Sequence, residues 1–222
     1  MTAATPTSNW QRLNPRRMPP RRAIALVAGV LLLAAFAIVL ERLGDDGTPA
    51  LIFPDDPLLA PPRGTAEDAI AAAEDRDAGR LDEVRAYVAE AYRLAPLVGL
   101  DPAIVVAQSA HETAFWRSPA WRDHLNPAGI GITGPEAASP TWASGTDAAR
   151  AQIVHLSLYA AGEIPPDHLL APFVPLDPRY DAALAAGRAG VALALVDLAG
   201  TWATDPDYAV GVARAGNALF VR

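Results

Sequence analysis

The chain has 222 residues, 51% of them hydrophobic, a net charge of −7, and neither cysteine nor lysine. Its length suits one ordinary domain with additional segments, and the lack of cysteine excludes disulfides, thiolate metal sites and a cysteine nucleophile. Charge is unevenly placed, residues 1–42 summing to +5 and residues 43–222 to −12, so the body has no basic footprint for nucleic acid.

Residues 1–22 read as a basic tail. The run AIALVAGVLLLAAFAIVL, residues 23–40, has no charge or strong polar group. At about 1.5 Å per residue it approaches the ~30 Å apolar core of a bilayer. Arg16, Arg17, Arg21 and Arg22 precede it, which predicts a cytoplasmic amino terminus and an exported body. Residues 23–41 therefore read as one transmembrane helix, an uncleaved anchor, with a cleaved signal peptide as the competing reading. Residues 42–64, rich in proline and aspartate, read as an extended linker.

From residue 65 the pattern is mainly α. Thr65 with Asp68 reads as an amino-terminal cap over about 66–78. Apolar residues at 81, 84, 88, 91, 95 and 98 keep the three-and-four spacing of an amphipathic helix stopped by Gly99. Asp101-Pro102 opens a helix of about 102–115. Residues 116–145 read as loop with at most a short β-hairpin near GIGIT. Asp147 reads as the cap of a helix to about 162, followed by helices at about 178–187, 190–202 and 206–220.

Glu112 is the residue that demands an explanation. It stands at a helix carboxyl end, where the helix dipole disfavours an anion. Its same-face neighbours Ile104, Val105, Gln108 and Ser109 run from apolar to polar. Partial desolvation there raises a carboxyl pKa toward neutrality, as a general acid requires. Trp116 and Trp121 are the candidate apolar wall, and a solvated glutamate at a frayed helix end is the plain alternative. His111 faces elsewhere and suits a helix end in its own right. His111, His124, His155 and His168 show no HExxH spacing, so no metal is expected. Gly129, Gly131 and Gly134 follow no strand and open no helix, which argues against a phosphate loop and for tight turns beside a ligand. No GxSxG elbow is present. Trp202 and Tyr208 read equally well as core aromatics or as a sugar-stacking wall.

Taken together, AQSAHETAF, NPAGIGITG, ARAQIVHLSLYA and LAGTWATDPDYA, in that order, resemble the glucosaminidase domain of bacterial cell-wall hydrolases, the endo-β-N-acetylglucosaminidase family. The resemblance spans about residues 84–220. It implies a lysozyme-like, two-lobed helical domain over 65–222 that cleaves the glycan strand of peptidoglycan without a cofactor, as a monomer. It implies Glu112 as general acid, and Asn126, Pro127, Gly129, Ile130 and Trp202 bordering the substrate, with Gln108 on the Glu112 face. Family members often have a tyrosine where Trp202 stands, so Tyr208 or Tyr159 is left to supply a hydroxyl. They also carry a second carboxylate on a longer hairpin, for which Glu136 and Asp147 are the candidates, Asp147 reading as well as a helix cap. A non-catalytic glycan-binding module and a lytic transglycosylase are the rival expectations. An acidic body gains no attraction to an anionic wall, a difficulty that tethering to the membrane would remove.

Overall fold

The computed structural model describes residues 51–132 and 138–221. The expected anchor at 23–41, Gly134 and Glu136 lie outside the described residues. Within these, no helix is long and apolar enough to cross a membrane. The described residues are mainly helical and hold no strand, only isolated bridges.

Among the described residues seven α-helices follow in order. They are α1 (Ala66–Glu74), α2 (Leu81–Leu94), α3 (Pro102–Glu112), α4 (Pro119–His124), α5 (Gly145–Ala161), α6 (Tyr180–Ala185) and α7 (Tyr208–Phe220). Short 3-10 turns lie at Ala95–Val98, Ala171–Leu176 and Leu195–Leu198. The sequence rules for helix starts hold well. Thr65 accepts from the Asp68 amide and Asp101 from the Ala103 amide, each satisfying an amide that the first turn leaves bare. The cap of α5 is Ser144 rather than Asp147, whose amide donates to Ser144 Oγ. Asp147 sits in the first turn, where an acid suits the helix dipole. Helix α4 was not foreseen. Ser118 caps it ahead of Pro119 in the first turn, a start signal hidden inside a glycine- and proline-rich stretch.

Helix α2 packs along α5, and α3 along α7. Helix α3 is buried from Pro102 to Ala110, which is why its sequence lacks a polar stripe until its last turn. Gly216 faces Ala107 and Gly211 faces His111, so α3 and α7 run antiparallel. A Cβ on Gly216 would stand 2.8 Å from Ala107 Cβ and 2.4 Å from Ile52 Cδ1, so hydrogen is the only side chain that permits this spacing.

Two expectations are corrected together. Residues 51–64 are not spacer in this structure but part of the domain. Ile52 and Leu58 are buried, Pro57 bridges Ala194, and Leu59 bridges Leu100. Arg63 pairs with Asp56 and with the fully buried Asp101, each at 2.6 Å. Residues 190–202, expected as an α-helix, instead run extended past residues 56–58 and then turn through the 3-10 segment. The Leu58 amide donates to the Leu193 carbonyl and the Leu195 amide to the Asp56 carbonyl.

Candidate functional site

Helix α3 ends at Glu112 through an unusual turn. After Thr113, the residues Ala114, Phe115 and Trp116 all have positive φ, 50°, 58° and 58°. Each left-handed non-glycine residue costs roughly 1–2 kcal/mol, so neighbouring contacts must hold this run in place. Thr113 Oγ1 donates to the Ser109 carbonyl and accepts from the Trp116 amide. The Trp116 indole, wholly buried, donates to Ser109 Oγ. The turn thereby folds Trp116 under the helix instead of letting it continue past Glu112. Trp116 and Trp121 pack around Tyr87, with ring centroids 6.3 and 5.7 Å away. They form core, not the expected wall beside Glu112.

What surrounds Glu112 comes from farther along the chain. Tyr208, at the start of α7, donates its hydroxyl to Glu112 Oε1 at 2.6 Å. The other oxygen, Oε2, lies 3.6 Å from where a Cβ on Gly129 would stand. Burial pushes the Glu112 carboxyl above its ordinary value, and hydrogen bonds from Tyr208 and Trp202 oppose that rise without cancelling it. No neighbouring charge among the described residues contributes. The two oxygens are thus differently placed, one held by a phenol and one turned toward a glycine loop.

Behind Tyr208 runs a buried chain of donors. Tyr87 donates to Gln152 Oε1, Gln152 Nε2 to Gln108 Oε1, and Gln108 Nε2 to Tyr208 Oη, at 2.6, 2.9 and 3.0 Å. Every member points its donor toward Glu112, an arrangement in which successive bonds polarise one another. Gln108 is fully buried and engaged at both ends, so it holds Tyr208 in place rather than meeting substrate as expected. Tyr208→Phe would remove a bond that favours the Glu112 carboxylate. The expected result is an upward shift of the pH at which Glu112 loses its proton, read as displacement of the alkaline limb of a pH–rate profile.

The glycine loop has its own internal support. Asn126 is buried, accepts from the Ala128 and Ile130 amides, and donates to the Ile130 carbonyl and Ser139 Oγ. Its side chain shapes the loop and has nothing left for a ligand. Pro127 is buried as well. Gly129 sits at φ 65°, a region that side chains disfavour. Gly129→Ala would add strain of about 1 kcal/mol and set a methyl against Glu112 Oε2. The expected result is a folded protein, by circular dichroism, whose activity falls about tenfold, equivalent to about 1.4 kcal/mol, because the methyl fills the approach to Oε2 without displacing it.

A cleft of about 200 Å³ meets this arrangement through Gly129 and Trp202, and Ile130, Gly131, His155 and Tyr159 also line it. Trp202 meets His155 edge-on at 4.8 Å and Tyr159 at 5.6 Å. His155 Nδ1 lies 2.6 Å from Asp177 Oδ2. Of the residues expected from sequence, the structure gathers Glu112, Tyr208, Gly129, Ile130, Trp202 and Tyr159. It does not bring Asp147 to them. Asp147 pairs with Arg150 at 3.5 Å and lines a separate depression with Trp142 and Pro175, about 12 Å along α5 from His155. Its place as a catalytic carboxylate is therefore corrected to a helix-start residue.

Sequence reasoning missed Gln152, His155, Asp177 and Arg179. The first two stand three apart, and Tyr159 four further on, in the ARAQIVHLSLYA block, which is a helix-face spacing. Asp177 and Arg179 sit in a turn with no such signal. Comparisons of the chain with protein-family models, curated proteins and solved structures find no match.

Proposed function

We propose that this protein is a membrane-anchored peptidoglycan hydrolase that cleaves glycosidic bonds of the glycan strand, an endo-β-N-acetylglucosaminidase with a lysozyme-like, two-lobed helical domain. The observation that carries the reading is Glu112. Its carboxyl is raised by burial, fixed through Oε1 by Tyr208, and turned through Oε2 toward Gly129 beside an aromatic-walled cleft. Residues 23–41 supply the anchor and place the domain outside the cytoplasmic membrane, and the chain acts as a monomer without cofactor.

In this mechanism a glycan strand lies along the cleft, with a sugar face on Trp202 and Tyr159. Glu112, protonated, donates from Oε2 to the leaving glycosidic oxygen as positive charge develops at the anomeric carbon. The Tyr208 hydroxyl then holds the resulting carboxylate at Oε1. Water completes the reaction at the anomeric carbon, either directly or after the substrate's own acetamido oxygen has closed on it. Incubating cell-wall glycan with the purified full chain should release new reducing ends.

One observation favours a second reading. Among the described residues, no partner carboxylate acts on Glu112. A lone carboxyl can act first as acid and then, deprotonated, take a proton from the sugar's own 6-hydroxyl as that oxygen attacks the anomeric carbon. That sequence is a lytic transglycosylase reaction, and its product is lighter than the hydrolysis product by one water in a mass spectrum. Glycan binding with neither product would leave only the binding module.

A further inference from the structure

We infer that His155, oriented by Asp177, is the second proton-transfer residue of this site and takes a proton from the water that attacks the anomeric carbon. The inference rests on the hydrolase reading and deepens it by naming the group that completes the reaction begun by Glu112. Asp147, expected in that role, pairs with Arg150 beside a separate depression.

His155 is buried in α5 and lines the cleft. Its Nδ1 lies 2.6 Å from Asp177 Oδ2. A carboxylate oxygen only accepts, so the neutral ring carries its hydrogen on Nδ1 and presents Nε2 as an acceptor. Nε2 bonds to no described residue and is not among the buried atoms without a partner, which leaves it for the cleft. A histidine that served packing alone would have both nitrogens satisfied.

The orienting group is itself fixed. Asp177 has no side-chain exposure, its Oδ1 accepts from the Arg179 amide at 2.9 Å, and its own amide donates to the Val174 carbonyl. Trp202 and Tyr159 hold the imidazole from the sides, with ring centroids 4.8 and 5.1 Å away. A ring tied through one nitrogen to a buried carboxylate, and open through the other to a cleft, is the arrangement of an oriented general base. Glu112 reaches the same cleft at Gly129, whose added Cβ would stand 3.6 Å from Oε2. The base must meet a water and not the sugar itself, so the chemistry requires space between the two groups.

The step balances without a further reactant. Glu112 gives its proton to the leaving oxygen as the bond from that oxygen to the anomeric carbon breaks. The water oxygen then bonds to the anomeric carbon, or to the same carbon of the acetamido-closed intermediate, and its proton passes to Nε2. The imidazolium so formed is paired with Asp177 until solvent carries the proton back to the Glu112 carboxylate. One water is consumed, and each fragment gains one hydroxyl.

The test compares the purified full chain with His155→Ala and Asp177→Asn on cell-wall glycan. Asp177→Asn is the sharper variant. The Arg179 amide needs an acceptor, so the new carbonyl oxygen takes the place of Oδ1 and the NH2 group falls opposite His155. Nδ1 must then accept, the ring hydrogen moves to Nε2, and the base is blocked with no change of volume. Each variant should release reducing ends about 10²- to 10⁴-fold more slowly, with a tetrasaccharide affinity, by calorimetry, equal to the parent's. Azide attacks the anomeric carbon with no proton to lose. Sodium azide should therefore restore turnover of both variants and yield a glycosyl azide in the mass spectrum. Glu112→Gln should stay slow in azide, because its leaving oxygen still lacks a proton donor. A histidine that only clamps α5 to the following turn gives a lower melting temperature and no glycosyl azide. A folded variant working at the parental rate, or a loss that azide does not restore, would overturn the base. If His155→Ala fails to fold, Asp177→Asn decides alone. The unsubstituted chain separates this inference from the reading beneath it. No cleavage product at all would remove the hydrolase reading and the base together, and an anhydro product alone would do the same. Ordinary reducing ends, released equally by parent and variants, would remove the base alone.

Discussion

Replacing Glu112 by Gln is expected to lower the release of reducing ends from cell-wall glycan by between about 10²- and 10⁴-fold, the range that a positioned general acid contributes. Glutamine keeps the shape and still accepts from Tyr208, so the cleft should survive and substrate affinity should change little. A Glu112→Gln protein that digests walls at the normal rate ends the assignment. The same variant carries a second expectation, in stability. The folded pKa of Glu112 lies above its unfolded value because burial penalises the anion. Its contribution to stability is therefore fully present below the ordinary glutamate range and declines as the pH rises through the folded value. A residue that cannot ionise escapes that decline. Glu112→Gln should melt above the parent near neutral pH, and the gain should vanish in acid. A variant that loses activity and also melts lower would point to a structural role for the carboxylate.

Starting the chain at residue 65 instead of residue 49 is expected to unfold the domain or leave it marginal. The shorter chain loses Ile52 and Leu58, each buried to 1% exposure and each contributing about 1.5–3 kcal/mol. It also uncovers Leu100 and Gly216, which these residues cover. Total stabilities of such domains are about 5–15 kcal/mol, so the loss is a large fraction of the whole. A finer test is Arg63→Met in the full chain. Asp101 has no side-chain exposure, and burial already pushes its carboxyl upward despite the Arg63 guanidinium. Removing that partner while the cover stays in place leaves a buried charge unpaired, at a cost of about 3–5 kcal/mol. The urea midpoint of each protein measures both effects. Equal midpoints for chains starting at 49 and 65 would restore residues 51–64 to the status of a linker.

Local signals in this sequence report local structure, and long-range pairing leaves none. Helix starts were legible because a cap is a local event, and Thr65 and Asp101 satisfy amides only two or three residues away. The acid was legible for a related reason, since position at a helix end and the apolar face behind it are properties of one short segment. Residues 51–60 read locally as spacer and residues 190–198 as helix, yet each is ordered by the other. Their backbone groups pair across more than a hundred residues of chain, and neither has a period that reveals a partner so remote. The cleft wall is a second case. Trp116 and Trp121 were attractive as neighbours of Glu112 in sequence, but the left-handed turn after Thr113 buries Trp116, while Trp202 arrives from the far end of the chain. Asp147 was ambiguous between a cap and a catalyst, and the start of α5 resolves it as part of a helix start.

The antiparallel pairing of α3 with α7 has a mechanical meaning. Glu112 and Tyr208 meet where α3 finishes and α7 begins. At the other end of the same pair, Ile52 exchanges two hydrogen bonds with the Asn217 side chain, and Arg63 clamps Asp101. Tension delivered through the residues before Leu51 would meet those contacts first, about 14 to 16 Å of helix away from the Glu112–Tyr208 pair. One end of the helix pair is built to hold and the other to work. If the residues before Leu51 tether the domain as proposed, that load falls on the far end of the helix pair and leaves the carboxylate undisturbed.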